Sequence, residues 1–198
     1  MGVANCSAGV LVSVSIATAM ALSAAPALAD CNGDFDALIQ RHRDAGPFRL
    51  ESAFNAEGTM RRIVTDVVKP DRFRQDQITH QSTVIGTTIW VMQDARWVRA
   101  PHPLLPDDRK AVYFDLADQI ASAKDRRCGE RQTRDGKDYD VYLFTSRHRI
   151  GNWDSNWNTT LYTEPGGLPA SADIVTDTKL NYRHTYTYDG SISVDPPN

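Results

Sequence analysis

The chain has 198 residues and a formal net charge of −3 at pH 7, with 24% charged and 41% hydrophobic residues. This length is enough for one domain with a buried core. The weakly negative charge argues against a nucleic-acid-binding protein, because such a protein needs a basic surface to contact phosphates.

The N-terminal segment has the composition of a secretory signal peptide. Residues 1–29 contain no Asp, Glu, Lys or Arg, and apolar or small side chains fill most of the segment. The tripeptide at 27–29, Ala-Leu-Ala, supplies the small-x-small pattern of a signal peptidase site. We predict cleavage before Asp30, which leaves residues 30–198 as a single periplasmic domain. The alternative is an uncleaved segment that tethers the protein to a membrane, for which the apolar run is just long enough.

Two cysteines remain after cleavage, because Cys6 is removed with the signal peptide. In an oxidising compartment an even pair favours a disulfide, so we predict that Cys31 and Cys128 are joined; two free thiols are the alternative. A catalytic thiol would need a nearby histidine, which the sequence does not place. Lipidation of Cys31 is disfavoured, because Asp30 stands where a lipidated cysteine requires a small residue.

The first element of the domain is predicted to be a short amphipathic helix within DFDALIQRHRDAG. Four side chains recur at the i, i+3, i+4, i+7 spacing of one helical face: Phe35, Leu38, Ile39 and His42. Asp34 is placed to cap the start of the helix and Gly46 to end it. We interpret His42 as a packing residue, since no second metal ligand follows four residues later.

From Pro47 onwards the period changes to two, which predicts strands. The first strand places four residues on one side: Phe48, Leu50, Ser52 and Phe54. A second strand over 60–68 ends at the turn Lys69–Arg72, where Pro70 favours the turn conformation. The strand after this turn, RFRQDQITH, is polar on both sides, so we expect it to be exposed or near a sheet edge.

A further hairpin contains two tryptophans. If its turn is centred on Gln93-Asp94, Trp90 stands opposite Trp97 as a cross-strand aromatic pair.

A second helix is predicted by the spacing of three apolar residues: Val112, Leu116 and Ile120. Asp115 is a possible internal cap. Cys128 follows this segment as Cys31 precedes the first helix, so the disulfide would tie the two helices together. The run 124–134 holds five cations against two anions; we interpret it as a solvated helix end, the alternative being contact with anionic lipid headgroups.

The C-terminal third is predicted to be strands. KDYDVYLFTS is apolar on both faces, which indicates a central strand, and TTLYTEPGGLPASADIV is a hairpin with a Gly- and Pro-rich turn. In the last segment, mainly apolar residues alternate with polar ones. The residues on the mainly apolar side are Leu180, Tyr182, His184, Tyr186, Tyr188, Ile192 and Val194. Asp189-Gly190 fits either a turn or a bulge.

This order of elements predicts an α+β fold, in which a strongly curved antiparallel sheet, an open half-barrel, carries two helices on its concave face. The segments PFRLESAF, VVKPDRFR, IWVMQDARWV, GGLPASADI and YTYDGSISVDPPN, in this order, resemble the periplasmic lipoprotein-carrier superfamily of LolA and LolB over nearly the whole mature chain. The resemblance implies a space between sheet and helices that holds acyl chains or another apolar ligand, in a carrier, acceptor or sensor of the cell envelope.

A non-enzymatic protein that binds a lipid or other apolar ligand is therefore the leading hypothesis. The candidate residues that would line its cavity are Phe48, Leu50, Phe54, Trp90, Trp97, Leu116, Ile120, Tyr182 and Tyr186. The alternative is that these side chains only fill the core, and that the domain contacts an envelope protein through an exposed edge or the basic run.

An enzyme is disfavoured, because no GxSxG, HExxH, GxGxxG or phosphate-binding loop occurs and the five histidines lack metal-ligand spacing. We accordingly predict no catalytic residues, no metal and no cofactor.

Overall fold

The structure is a computed structural model that describes residues 31–56, 58–77, 80–104, 115–150, 153–165, 167–178 and 180–198. The predicted signal peptide, its predicted cleavage site and Val112 lie outside the described residues. The helices are α1 (Cys31–Asp44) and α2 (Leu116–Ala121). The strands are β1 (Phe48–Ala56), β2 (Thr59–Val68), β3 (Arg72–Gln77), β4 (His80–Ile85), β5 (Thr88–Gln93), β6 (Arg96–Arg99), β7 (Lys124–Cys128), β8 (Gln132–Arg134), β9 (Lys137–Ile150), β10 (Trp153–Thr163), β11 (Pro169–Thr176) and β12 (Asn181–Tyr188).

All twelve strands belong to one antiparallel sheet that does not close into a barrel. The order is β6-β5-β4-β3-β2-β1-β12-β11-β10-β9-β7, and β8 also pairs with β9. Trp157 of β10 stacks on Tyr182 of β12 with ring centroids 5.5 Å apart, although β11 lies between these strands. Strands that flank a third are about 10 Å apart, so side chains on them meet this closely only on a concave face. The predicted fold class is confirmed.

The face of the sheet that carries the helices, here called the inner face, is defined by strand register. Phe48 of β1 is opposite Val67, which is opposite Phe73, and the row continues through Val84 to Ile89. All five side chains belong to or pack against one hydrophobic core with residues from α1 and α2. The opposite side of the sheet is called the outer face.

Helix α1 buries the four residues that its periodicity predicted: Phe35, Leu38, Ile39 and His42. The helix begins at Cys31, so Asp34 lies inside the first turn and is not the cap that the sequence suggested. A carboxylate there still interacts favourably with the positive end of the helix dipole.

Helix α2 begins where Asp115 caps it. The Asp115 side chain accepts hydrogen bonds from the backbone N–H groups of Ala117 (2.8 Å) and Asp118 (3.2 Å). At the other end, Arg126 Nη2 donates to the carbonyl oxygens of Ile120 (2.6 Å) and Ala121 (3.0 Å). A cation therefore satisfies the last carbonyls of α2, in agreement with the preference of helix C-termini for positive charge.

The prediction that the basic run ends a helix is wrong in its secondary structure. Residues 124–128 form the edge strand β7, with Lys124 opposite Thr145 and Cys128 opposite Tyr142 of β9. The predicted disulfide between Cys31 and Cys128 is present. Because Cys128 lies at the end of β7, the bond ties the first residue of α1 to an edge strand, and not to α2 as expected.

Two further strand predictions are corrected. Strand β3 was expected to be exposed or near an edge, but it lies between β2 and β4, because β4, β5 and β6 continue the sheet beyond it. The last strand ends at Tyr188, and Asp189-Gly190 is part of a turn, so Ile192 and Val194 lie beyond the sheet.

No helix in the described part of the chain is both long and apolar enough to cross a membrane.

Candidate functional site

The inner face has two distinct ends, and the end beneath the helices is filled by side chains. Phe35 of α1 meets the rings of Tyr142 and Phe144 edge-on, at centroid distances of 5.1 and 6.1 Å. Five of the nine candidate lining residues are buried in this hydrophobic core: Phe48, Leu50, Leu116, Ile120 and Tyr186. These five pack against the helices and against one another.

A polar network closes this packed end beside the C-terminus of α1. His42 Nδ1 and the Tyr188 hydroxyl are 2.9 Å apart, and Lys69 Nζ donates to the His42 carbonyl oxygen. Lys69 also lies 5.3 Å from the ring centroid of Phe48. Burial, with a smaller effect of the Lys69 charge, lowers the pKa of His42 to about 3. The imidazole is therefore neutral at pH 7, and Lys69 carries the charge that meets the negative end of the helix.

The other end of the inner face, here called the aromatic end, is lined by rings from four strands. Phe54 and Tyr182 are register partners with centroids 5.0 Å apart. Tyr182 stacks on Trp157, and Trp157 lies 4.0 Å from the ring of His148. Phe54 and Tyr182 are half-buried, whereas Trp157 and His148 are 3% and 7% exposed. Of the four rings at the aromatic end, those of Phe54 and Tyr182 are therefore accessible, and those of Trp157 and His148 are buried.

Hydrogen bonds hold the polar members of the aromatic end in place. Ser146 Oγ and His148 Nε2 are 2.9 Å apart, and Ser155 Oγ donates to Asp177 at 2.6 Å. A serine beside a histidine is a common arrangement for nucleophilic catalysis, but Ser146 is only 1% exposed. Its hydroxyl is a hydrogen-bond partner inside the core, and a substrate cannot reach it.

The structure places Trp90 and Trp97 on the outer face, away from the other candidate residues. The Gly86-Thr87 turn sets Val84 opposite Ile89, which directs Ile89 inward and Trp90 outward.

The predicted pairing of the two tryptophans is also wrong. The turn between β5 and β6 is Asp94-Ala95, with φ of 49° and 60°. Two residues with positive φ form the tight hairpin turn that matches strand twist. This places Met92 opposite Trp97 and Trp90 opposite Arg99. Trp97 instead lines an outer-face groove of about 450 Å³ with residues 195–198.

Three residues of the aromatic end were not predicted from the sequence: Trp157, His148 and Arg61. Trp157 has a local signal, because it shares its parity on β10 with buried Thr159 and Leu161. Most of its neighbours in NWDSNWNTT are polar, so the sequence of this strand shows no clear alternation of apolar and polar residues. Its contact with Tyr182 across β11 depends on the curvature of the sheet, which a local sequence pattern does not predict.

Within the described residues, no group of three or more His, Cys, Asp or Glu side chains is arranged to hold a metal ion.

Comparison with known proteins identifies the fold. No protein-family model and no curated protein sequence matches the chain. Among solved structures, LprF from Mycobacterium bovis is similar with a TM-score of 0.56 and 10% identity, over 84% of this chain and 96% of that one. The lipoprotein LppX from Mycobacterium tuberculosis is similar with a TM-score of 0.55 and 9% identity, over 83% and 98%.

The chain shares its fold with LprF and LppX. A LolA superfamily protein from Nitrosomonas europaea is a more distant neighbour, with a TM-score of 0.34 and 9% identity over 79% of this chain and 91% of that one. The fold expected from the sequence is therefore found in LprF and LppX. Identities this low show the fold alone.

Acid is expected to destabilise the protein through its buried histidines. Burial lowers the pKa of His148 to about 4, and burial together with the nearby His148 lowers the pKa of His184 to about 4. The unfolded chain, with histidine pKa values near 6.5, then binds more protons than the folded chain between these values. The stabilisation is complete above about pH 6.5 and is lost as the pH falls towards 4, at up to about 1.4 kcal/mol per pH unit for each histidine.

Urea unfolding across this pH range tests the expectation. The variant His148→Gln removes one proton-binding site from the unfolded chain, so its stability is expected to depend less steeply on pH than that of the wild type. An identical slope in the two proteins would show that His148 titrates normally in the folded state.

Proposed function

We infer that the protein is a non-enzymatic, exported binding protein for an acyl chain or similar apolar ligand, and that the ligand lies against the aromatic end of the inner face. The observation that supports this most strongly is the pair Phe54 and Tyr182, which stays half-buried on a concave face while backed by buried Trp157. Aromatic rings on a concave surface with a few polar groups are typical of small-molecule sites. The chain also shares its fold with the lipoprotein LppX.

The packed end of the inner face is less suitable for a ligand. Phe35, Phe48 and Ile120 are each 0% exposed there, so a ligand would have to displace side chains that already contact one another. Opening a core of this density costs several kcal/mol. The same ligand at the aromatic end would only cover rings that are accessible already. Of the nine candidate residues, Phe54 and Tyr182 therefore remain in the proposed site, and Trp157 is added to them.

The proposed location in the cell is the periplasm. It is supported by the composition of residues 1–29, which fits a cleaved signal peptide, and by the disulfide, which forms in oxidising compartments. The mature protein would then consist of residues 30–198 as one domain.

Equilibrium titration of delipidated protein with a dansyl-labelled fatty acid tests the proposal. Saturable binding is expected, and replacing both Phe54 and Tyr182 with Ala should weaken it about tenfold, since each ring loses part of its buried apolar contact. Trp97→Ala is the matched control, because Trp97 is also a half-buried aromatic residue but lies on the outer face. Absence of saturable binding, or equal losses in both variants, would contradict the proposal.

A second candidate function is contact with an envelope protein, and it is supported by the packed core and by β7. This strand is at the edge of the sheet, where unpaired backbone groups can add a strand from a partner. Lys124 and Arg127 are exposed on it, whereas Arg126 is engaged with the carbonyls of α2. Reversing the charges of Lys124 and Arg127 should abolish capture of an envelope partner under this alternative, while fatty-acid binding stays unchanged.

A further inference from the structure

The aromatic end carries a cation whose position suggests the chemistry of the ligand. Arg61 of β2 is the register partner of Phe54, and Phe54 is the partner of Tyr182. Residues directly opposite one another in antiparallel strands lie on the same face of a sheet. Arg61 is therefore on the inner face, in one row with the two accessible rings, and its side chain is exposed.

The charge of Arg61 is not used inside the described structure. No carboxylate among the described residues lies within ion-pair distance of its guanidinium, whereas neighbouring Arg62 pairs with Glu51 at 2.5 Å on the outer face. Arg49 and Arg183 are likewise paired, with Asp66 and Asp173. Arg61 thus differs from these arginines in having no carboxylate partner in the described part of the chain.

The other titratable groups of the aromatic end do not compete for an anion. Burial lowers the pKa values of His148 and His184 to about 4, so both imidazoles are neutral at pH 7. The Asp177 carboxylate accepts hydrogen bonds from Ser155, which is the register partner of His148, and from Asn156. A negative group beside Phe54 would consequently meet the guanidinium of Arg61 among the groups that the structure describes.

We propose that the ligand is a single-chain anionic amphiphile whose headgroup binds Arg61 while its hydrocarbon chain lies along Phe54, Tyr182 and Trp157. The inference rests on the proposed function and specifies the ligand class. A guanidinium forms two parallel hydrogen bonds with a carboxylate or phosphate, and its hydrocarbon stem can pack on an aromatic ring. A free fatty acid and a single-chain phosphate ester share this chemistry.

Isothermal titration calorimetry with three amphiphiles of equal chain length tests the proposal: dodecanoate and dodecyl phosphate below their micelle concentrations, and dodecanol below its solubility limit. The wild type is expected to bind the anions about fivefold more tightly than the alcohol, the size expected for a partly exposed charge pair. This preference should decrease as salt is added. The relative affinities of the two anions show whether the site prefers a carboxylate or a phosphate headgroup.

Arg61→Gln is expected to remove the preference for anions and to leave the affinity for dodecanol unchanged. Arg62→Gln is the matched control, because it changes the same charge one residue away on the opposite face, and it should behave as wild type. If the wild type binds all three amphiphiles equally, or if Arg61→Gln keeps the preference, the assignment of the headgroup is wrong and the apolar site stands. If none of the three binds, the proposed function fails and this inference fails with it.

Discussion

Replacing Phe35 with alanine is expected to lower the free energy of unfolding by about 3–5 kcal/mol. Phe35 is 0% exposed and contacts Tyr142 and Phe144 edge-on, and the guanidinium of Arg126 lies 5.6 Å from its ring centroid. The substitution would remove a buried ring, leave a cavity between α1 and β9, and remove two favourable aromatic contacts. Equilibrium unfolding in urea, followed by circular dichroism, measures the change.

Gln40→Ala is the control on the same helix. Gln40 is exposed, and within the described residues its side chain donates to the Asp44 carboxylate four residues later, at 2.9 and 3.0 Å. Its loss should change the unfolding free energy by less than about 0.5 kcal/mol. If Phe35→Ala also cost less than about 1 kcal/mol, α1 would not be anchored to the sheet through the packed end, and the division of the inner face into two ends would be wrong.

Removal of the disulfide is expected to cost about 2–4 kcal/mol. Cys31 and Cys128 are 97 residues apart, and the bond restricts the unfolded chain by closing this long loop. In the folded state it also joins the first turn of α1 to the edge strand β7, where frayed ends would otherwise open most readily. The double variant Cys31→Ser and Cys128→Ser should therefore unfold at a lower urea concentration.

Reduced wild-type protein is the control for this variant. It should show the same decrease in stability as the double variant, because both lack only the covalent bond. Equal stability of the oxidised and reduced proteins would show that the bond neither restricts the unfolded chain nor holds α1. A loss in the double variant alone would be due to the serine side chains.

The local patterns of the chain were sufficient to predict much of the fold. The helical face of α1 follows from the spacing of Phe35, Leu38, Ile39 and His42, since a single helix must bury its apolar stripe. The parity of Phe48, Leu50 and Phe54 identified the inner face of β1 in the same way. Both predictions depend on interactions between residues close in sequence.

The errors arose where distant strands decide the structure. The segment 124–128 has no alternation of apolar and polar residues, and it forms a strand because it pairs with β9. The position of β3 inside the sheet depends on β4, β5 and β6, and not on its own polar composition. Trp90 lies on the outer face because a turn before it sets the register.

The candidate site was predicted only in part for the same reason. Phe54 and Tyr182 have the correct parity, but the sequence did not distinguish them from Phe48 and Tyr186, which helices cover. Whether a residue of the inner face is covered depends on which end of the strands α1 and α2 pack against. The position of Arg61 beside Phe54 likewise becomes visible only through the pairing of β1 with β2.

The central claim is that the aromatic end of the inner face binds an apolar chain, and photo-crosslinking tests it most directly. Delipidated protein is irradiated with a diazirine-bearing fatty acid, with and without an excess of unlabelled fatty acid, and the labelled peptides are identified by mass spectrometry. The account predicts competable labels on the peptides that contain Phe54 and Tyr182. Competable labels confined to α1 or α2, or labelling that the unlabelled fatty acid does not reduce, would contradict it.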